Sequence, residues 1–340
     1  MAQEGAVTPR TSEMMDPRTR ERRLRRPRVL ALVVGVACGL AANGPVWAID
    51  WNGVAEREIP LLYPGQSSWE WNLTQDDHSG AKKFRGGKDC KACHKGEEQE
   101  IGDKIVTGKK LEPAPIPGKP GSLTLKVKTT HDGDRLYVRL AWQGGKPGSG
   151  KKMDADYAAR VTMMWDDGSV KEATRAGCWG SCHDDALGMA SAPAGKEITK
   201  YLVASRIKVS RRGGGENFKS PEELEALLKQ GTFVEYWQAA LDPGRPPRAA
   251  DGYILDKRHE NGSPVVSAEA RYTSGQWVVV LSRTLKAGKP VHKDLVPGKT
   301  YTVGFAVHDD YANHRFHHVS FEYTLRLDKG DADLVAVKTQ

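Results

Sequence analysis

Two short motifs combine cysteine and histidine at a spacing that suits one kind of chemistry. The first is Cys-Lys-Ala-Cys-His at residues 90–94, and the second is Cys-Trp-Gly-Ser-Cys-His at residues 178–183, with one more residue between its cysteines. A Cys-x-x-Cys-His sequence is the attachment site of a c-type haem. Its thiols form thioether bonds to the porphyrin, and the imidazole that follows binds the iron. The sequence therefore predicts two covalently bound haem c groups.

This chemistry gives each motif residue a role. The covalent anchors are the four cysteines Cys90, Cys93, Cys178 and Cys182. The proximal iron ligands are His94 and His183. A thioredoxin-like dithiol would sit in a βαβ unit, which the sequence does not indicate. A zinc site built from the four cysteines would leave both histidines unexplained, and it stays open mainly for the second motif, whose spacing is unusual.

A haem that only transfers electrons also needs a distal axial ligand, which is His or Met. For the first motif His78 is the favoured distal ligand, because it lies twelve residues before Cys90 in a polar segment. The rival is His131, although its position in a predicted hairpin turn favours an exposed side chain.

The second motif has four candidate distal ligands, which are His317, His318, Met189 and Met164. His317 and His318 are successive residues of a predicted strand, so only one of them can face a given haem. Met189 follows His183 closely enough to fold over the edge of the ring. Met164 and its neighbour Met163 are more typical of core positions on a strand. His317 and Met189 are therefore the distal candidates that we retain.

The N-terminus has the features of an export signal. An Arg-rich segment precedes an apolar run from Val29 to Ala42, and small residues suit a cleavage site after Ala48. The apolar run is shorter than the roughly 20 residues that span a bilayer, so we expect cleavage and a periplasmic protein, with a retained membrane anchor as the alternative. Cleavage would remove Cys38 and leave four cysteines, all of them in the two motifs.

Charge limits the classes of partner. The 340 residues carry a formal charge of +8, but residues 1–48 contain eight Arg and four acidic residues, so the remainder carries only half of that excess. The propionates of bound haems would bring it close to neutral. No run of basic residues with interleaved aromatics follows residue 48, so nucleic acid is not an expected partner.

Short strands are predicted to position the motifs. Apolar residues alternate with polar ones from Leu123 to Val127 and again from Leu136 to Trp142, with the turn-forming pair Asp132-Gly133 between them, which predicts a hairpin. Further strands are predicted at residues 161–165, 265–272, 276–283, 301–308 and 319–327. Short alternating strands of this kind favour a mainly β protein with an antiparallel β-sandwich.

Helices are predicted at two places. Ser220 can cap a helix whose first turn contains Pro221 and whose capping box is completed by Glu223. A short helix is also expected after His94. Apart from the helix at Ser220, residues 184–260 are expected to be irregular.

A Pro-rich stretch at residues 112–121 is the clearest domain boundary. Residues 49–111 would form a small haem module like a cytochrome c, irregular and partly helical. Residues 122–340 would form the β-sandwich with the second haem, and Trp165 and Trp179 would pack on the porphyrin or in the sandwich core.

A family resemblance is carried by residues 123–142, Met-Met-Trp-Asp-Asp-Gly at 163–168, Gly-Cys-Trp-Gly-Ser-Cys-His-Asp-Asp at 177–185, and His-Asp-Asp at 308–310 leading to His-His-Val-Ser at 317–320. Together they resemble the haem-binding β-sandwich of the γ subunits of ethylbenzene dehydrogenase and dimethylsulfide dehydrogenase, and more closely the c-type cytochromes that carry this domain. The resemblance covers residues 120–330. It implies a periplasmic electron carrier that works with a respiratory oxidoreductase, often a molybdenum enzyme. Those γ subunits bind a non-covalent haem b between a Met and a Lys, so the covalent motif at 178–183 is a departure and their ligands are not transferred.

The sequence thus predicts a periplasmic dihaem c-type cytochrome that passes single electrons between respiratory redox partners. The partner would be a molybdenum oxidoreductase or another cytochrome, and the membrane would be involved only if the N-terminal segment is retained. Two alternatives stay open. One is a haem enzyme whose open iron reduces a small oxidant, and the other is the electron-transfer subunit of a molybdenum oxidoreductase complex.

Overall fold

A computed structural model describes residues 49–65, 67–73, 78–112, 114–144, 156–180, 202–209, 218–288, 290–308 and 317–339. These residues all belong to one compact unit, residues 44–340. The predicted export segment with Cys38 lies outside the described residues. So do three predicted haem residues, Cys182, His183 and Met189.

Strands form most of the described structure. They are β1 (Arg57–Leu62), β2 (Ser122–His131), β3 (Arg135–Gln143), β4 (Ala159–Asp166), β5 (Val234–Leu241), β6 (Arg248–Ile254), β7 (Arg258–Glu260), β8 (Ser267–Thr273), β9 (Gln276–Thr284), β10 (Tyr301–His308), β11 (His318–Val319), β12 (Tyr323–Leu327) and β13 (Leu334–Lys338). The predicted hairpin is confirmed as β2 and β3, whose turn is held by Asp132 Oδ1 accepting from the backbone N–H groups of Asp134 and Arg135.

The strands follow the order β7-β6-β5-β4-β10-β11-β1-β2-β3-β9-β8 and are antiparallel along this path. A second route joins β10 to β2 through β12 and β13, with parallel pairing between β12 and β13 and between β13 and β2. Strand β5 near one end of the order packs against β8 and β9 at the other end. The sheet therefore folds back on itself, and the predicted β-sandwich is confirmed.

The main core lies between the two halves of this sandwich. Alternate residues of β4 and β10, such as Met163, Trp165 and Phe305, point into it and are fully buried. The residues between them, such as Met164 and Ala306, belong to a second buried cluster on the outer face of the sheet, together with Cys178 of the second motif. The outer face is covered because helices and loops pack there, so these strands have two buried faces.

Helices and one 3-10 turn cover the sheet. They are α1 (Trp69–Leu73), α2 (Ala81–Arg85), α3 (Lys91–His94), α4 (Glu98–Val106), α5 (Ala173–Gly180), α6 (Pro221–Lys229) and the 3-10 helix Val203–Ser205. The predicted capping box of α6 is confirmed, because Ser220 Oγ accepts from the Glu223 backbone N–H and Glu223 Oε2 accepts from that of Ser220. The helix expected after His94 is α4.

The prediction that residues 184–260 are irregular apart from one helix was wrong. Strands β5, β6 and β7 lie there, and every residue of β5 is buried. Glu235 and Gln238 interrupt its apolar run, so neither alternation nor a continuous apolar stretch marked this strand. The strand predicted at 319–327 is divided into β11 and β12, because Ser320 leaves the ladder and bonds to both backbone groups of Phe305.

Strand β1 lies in the segment that the sequence assigned to a separate haem module. It pairs with β2 along its whole length and with β11 at Leu62. Residues 57–62 are therefore part of the sheet, although they precede the Pro-rich stretch. The division of the chain at residues 112–121 stays a prediction. No helix within the described ranges is both long enough and apolar enough to span a membrane.

Candidate functional site

The first motif opens into a cavity of about 590 Å³, a size typical of small-molecule and cofactor sites. Its lining includes both cysteines of the motif, Cys90 and Cys93, and the histidine that follows them, His94. It also includes His78, the predicted distal ligand. The cavity thus brings together four side chains that the sequence assigned to one haem.

His78 and His94 face each other at a distance suited to a shared metal ion. Their ring centroids are 6.1 Å apart. Two imidazoles bound to opposite sides of one metal ion, through bonds of about 2 Å, would have their centroids roughly 6 Å apart. The separation of the two rings would therefore allow His78 and His94 to hold one metal ion between them.

Each of the two rings is oriented through its Nδ1 atom. Nδ1 of His78 lies 3.0 Å from the carbonyl oxygen of Asn72, and Nδ1 of His94 lies 2.9 Å from Oε2 of Glu97. Because a carbonyl or carboxylate oxygen can only accept, both Nδ1 atoms carry the proton. In the neutral form of each ring Nε2 then has a lone pair, which is the usual arrangement of a histidine that binds a metal.

An aromatic side chain stacks on each of the two imidazoles. Trp71 stacks on His78 with centroids 5.2 Å apart, and Phe321 stacks on His94 at 6.1 Å. Burial is the main cause that lowers the pKa of His78, while its hydrogen bond to the Asn72 backbone opposes the shift. The lowered pKa favours the neutral ring that a metal ligand must have.

The helix of the first motif is docked on the sandwich by backbone hydrogen bonds. The N–H of Cys90 donates to the carbonyl of Arg175 in α5 (2.8 Å), and the N–H of Lys91 donates to Oε1 of Glu322 (2.9 Å). Nζ of Lys91 forms an ion pair with Asp333 at 2.9 Å. The first motif is thus held against the second motif's helix and against the start of β12.

The second motif begins at a break in α5. Gly177 has φ 56° and ψ −138°, and a Cβ there would lie 2.3 Å from the carbonyl carbon of Phe321. A Cβ on Gly304 of β10 would lie 2.3 Å from the backbone nitrogen of Cys178. Only glycine fits at these two positions, and together they allow Cys178 to rest directly on the outer face of the sheet.

Two buried histidines lie on this same outer face. His308 follows Ala306 by two residues on β10 and stacks on His317, with ring centroids 4.5 Å apart and an angle of 18° between the planes. His318 points the other way, and its Nε2 lies 2.9 Å from the carbonyl oxygen of Pro120. Burial lowers the pKa of His318 to about 4. Of the two successive histidines, His317 is the one on the face of Cys178.

The two motifs are close neighbours in space. Trp69 packs edge-on against Trp179 of the second motif at 5.4 Å and stacks on Phe84 at 6.1 Å. Trp179 also lines the cavity of the first motif. The guanidinium of Arg175 lies 4.0 Å from the ring centre of Phe84 and donates to the carbonyl of Lys88. Trp179 belongs to the buried cluster on the outer face and not to the sandwich core, and its packing on a porphyrin stays a prediction.

The other candidates named from the sequence lie elsewhere. His131 is buried on β2, where its Nε2 lies 2.8 Å from Asp328 Oδ1, and it does not line the cavity. Met163 lies in the sandwich core, whereas Met164 lies on the outer face with Cys178. His308 was not named as a ligand, because its position opposite His317 depends on strand register, which no local signal discloses.

Glu322 is a further residue that sequence reasoning missed. Its side chain is buried beside the first motif, and Oε2 has no hydrogen-bond partner among the described residues. Burial is the main cause that raises the pKa of Glu322 to about 8, and the charge of Asp89 adds to it, while hydrogen bonding to Lys91 opposes it. A neutral carboxyl beside the first motif is therefore expected at pH 7.

Replacing Glu322 with Gln should change how stability depends on pH. From pH 4.5, the ordinary value for a glutamate, to about pH 8, the folded protein holds a proton that the unfolded chain has released. The free energy of unfolding of the parent therefore falls as pH rises through this window, by about 3–5 kcal/mol at most. The Glu322→Gln protein should lack this fall and become the more stable of the two above pH 7. Urea unfolding at several pH values measures it.

Glu58→Gln is the matched control for this experiment, because Glu58 is exposed on the neighbouring strand β1. Its pH profile should follow that of the parent. If the free energy of unfolding of Glu322→Gln changed with pH as that of the parent does between pH 4.5 and about pH 8, the raised pKa of Glu322 would be contradicted.

Comparison with known proteins places the chain among redox proteins. A family model described as ethylbenzene dehydrogenase matches residues 48–264 and 251–320. Cytochrome c-552 of Stutzerimonas stutzeri is 34% identical over 316 residues, which cover 91% of this chain and 98% of that protein. Cytochrome c-551 of Rhodocyclus tenuis is 28% identical over 297 residues, which cover 86% of this chain and 100% of that protein.

Among solved structures, the chain shows a distant likeness to a carbohydrate-binding module of family 9 from Caldicellulosiruptor kristjanssonii, solved with cellotriose. The match covers 64% of this chain and 76% of that chain, with 8% identity and a TM-score of 0.27. A likeness of this degree carries no conclusion about function.

Proposed function

The chain belongs to the ethylbenzene dehydrogenase family, and from that premise we propose that it is a periplasmic dihaem c-type cytochrome that passes single electrons between respiratory redox partners. The observation that carries the proposal is the pair His78 and His94, whose centroids lie 6.1 Å apart in a cavity that Cys90 and Cys93 also line. Two relatives that match nearly their whole length are named as cytochromes c, which supports the same function.

The residues around the first cavity suit the binding of a haem c. Such a group supplies an iron that changes its oxidation state by one electron. Cys90 and Cys93 would anchor it, and His94 and His78 would be its proximal and distal ligands. Their Nδ1 hydrogen bonds fix the orientation of both rings, and two protein ligands leave no open coordination position for a substrate. This arrangement favours an electron carrier over an enzyme.

A second haem c would be anchored by Cys178 and Cys182, with His183 as its proximal ligand. His317 and Met189 are the proposed distal ligands. The position of His317 on the same face as Cys178 supports the first of them, and His308 stacks on its ring. Trp69 and Trp179 pack between the two motifs, so the two irons would be neighbours in a short relay.

The intact mass of the exported, denatured protein, read with its reduced spectrum, tests this proposal. We expect a chain that begins near Ile49 and carries two covalent haems. A Cys178→Ala/Cys182→Ala variant should lose one haem, whereas Cys90→Ala/Cys93→Ala should lose the other, so the two variants are controls for each other. If the parent carried only one haem, the prediction of two haems would be overturned. The second motif would then be better explained as a zinc site or a disulfide. No haem would overturn the whole proposal.

Carbon monoxide separates a carrier from a haem enzyme. If both irons have two protein ligands, the reduced parent should bind none. Binding of one carbon monoxide per chain would favour an enzyme with one open iron, the alternative that the sequence left open.

A further inference from the structure

Positive charge is concentrated in the segment that forms the first cavity. Residues 78–110 contain nine Lys and Arg residues and five Asp and Glu residues, whereas the rest of the chain from residue 49 contains 34 of each. Counting the preceding Asp76 and Asp77 with this segment still leaves an excess of two. The positive excess after residue 48 is therefore concentrated in this part of the chain, and half of it remains when residues 76 and 77 are included.

The acidic side chains of this segment are largely engaged locally. Glu97 bonds to His94, Glu100 forms an ion pair with Lys104, and Glu98 is buried and accepts from the N–H of Gly96. Asp89 accepts from the N–H of Ala92 at the start of the motif helix. Four of the five acidic side chains of the segment are therefore held by groups of the segment itself.

Most lysines of the same segment are exposed, and several form no ion pair with any described residue. These are Lys83, Lys88, Lys95, Lys109 and Lys110. Lys83, Lys88 and Lys110 line the cavity itself, and Cys93, one of the two anchors, is exposed at its edge. Three of these lysines thus place positive charge at the cavity that the proposed redox group would occupy.

We propose that the lysine-rich rim of this cavity, defined by Lys83, Lys88 and Lys110, is the docking surface for the acidic face of a redox partner protein. The inference rests on the proposed function and names the charge of the partner. Complementary charge raises the rate of encounter between proteins by roughly 10- to 1,000-fold at low salt. Lysines suit such a transient contact because their compact, hydrated charges do not impose the bidentate geometry of arginine.

The surface can be tested with a protein probe of known charge. Reduced flavodoxin, an acidic one-electron donor, would be mixed with the oxidised full-length exported protein in a stopped-flow instrument. The bimolecular rate constant should fall steeply as salt rises, because long-range attraction is screened. A Lys83→Glu/Lys88→Glu variant should react about tenfold more slowly at low salt.

The matched control is Lys257→Glu/Lys286→Glu, which changes the net charge by the same amount at exposed positions outside the segment. Its rate constant should stay within about twofold of the parent's, as expected for a distant charge change. Equal rate constants for both double variants would overturn the proposal, as would a parent rate that does not respond to salt.

Two further readouts complete the test. Vesicles that contain an anionic phospholipid should bind the parent and the Lys83→Glu/Lys88→Glu variant equally weakly. Loss of vesicle binding with an unchanged flavodoxin rate would overturn the proposal in favour of a lipid surface. Reduction by dithionite checks the redox groups themselves. A parent that dithionite does not reduce would overturn the proposed function, and the docking surface with it.

Discussion

The reduced His78→Ala protein should bind one more carbon monoxide per chain than the parent does. His78 is one of two imidazoles that face each other across the first cavity, and Ala has no atom that could replace its Nε2. The iron of a haem bound there would keep only His94 and would accept an external ligand. Titration of the reduced protein with carbon monoxide, followed by the visible spectrum, measures the stoichiometry.

Two variants make this result specific to ligation. His78→Met should bind no additional carbon monoxide and should shift the reduction potential upward, because Met ligation favours the reduced iron. His131→Ala removes the rival ligand, whose Nε2 is engaged by Asp328, and should leave carbon monoxide binding as in the parent. If His131→Ala gained the extra carbon monoxide and His78→Ala did not, the two assignments would have to be exchanged.

That these cysteine and histidine residues share the first cavity was largely predictable, because they lie within one short segment. The Cys-x-x-Cys-His pattern alone identifies Cys90, Cys93 and His94, and His78 precedes Cys90 by only twelve residues. What the sequence could not disclose were the contacts made by distant residues. Phe321 stacks on His94 and Glu322 bonds to Lys91, yet both come from the loop before β12, more than 200 residues further along the chain.

Strands could be predicted where apolar and polar residues alternate along the sequence, and they were missed where this alternation is absent. The hairpin of β2 and β3 has one polar face over much of its length, so its period of two is visible in the sequence. Strand β5 is buried on both faces and contains Glu235 and Gln238, so its sequence has no such period. Glu235, which breaks the apolar run of β5, also bonds this strand to the opposite half of the sandwich.

Glu235 lies at the centre of a buried network. Its Oε1 atom accepts from Arg283 Nη1 at 2.5 Å and from Trp237 Nε1 at 2.8 Å, and its Oε2 atom accepts from the N–H of Lys293 at 2.7 Å. Neither Glu235 nor Arg283 has any exposed side-chain surface. The Arg283 guanidinium lies 5.0 Å from the ring centre of Trp165 and donates to the carbonyl of Lys293.

Arg283→Met should therefore lower the free energy of unfolding by about 3–5 kcal/mol, because it leaves the carboxylate of Glu235 buried without its counter-charge. The Glu235→Gln/Arg283→Met double variant should lose less than the sum of the two single changes, since removing both charges leaves neither one unpaired. Urea unfolding followed by far-ultraviolet circular dichroism measures all three variants at one pH.

Arg245→Gln is the matched surface control. Arg245 forms an ion pair with Asp156 at the same 2.5 Å separation, but about half of each side chain is exposed. Water and salt screen such a pair, so its loss should cost no more than about 1 kcal/mol. The buried pair also bears on the second motif. Glu235 fixes β5, and the adjacent Tyr236 packs in the same buried cluster as Cys178. An Arg283→Met protein as stable as Arg245→Gln would show that the buried network does not hold the two halves of the sandwich together.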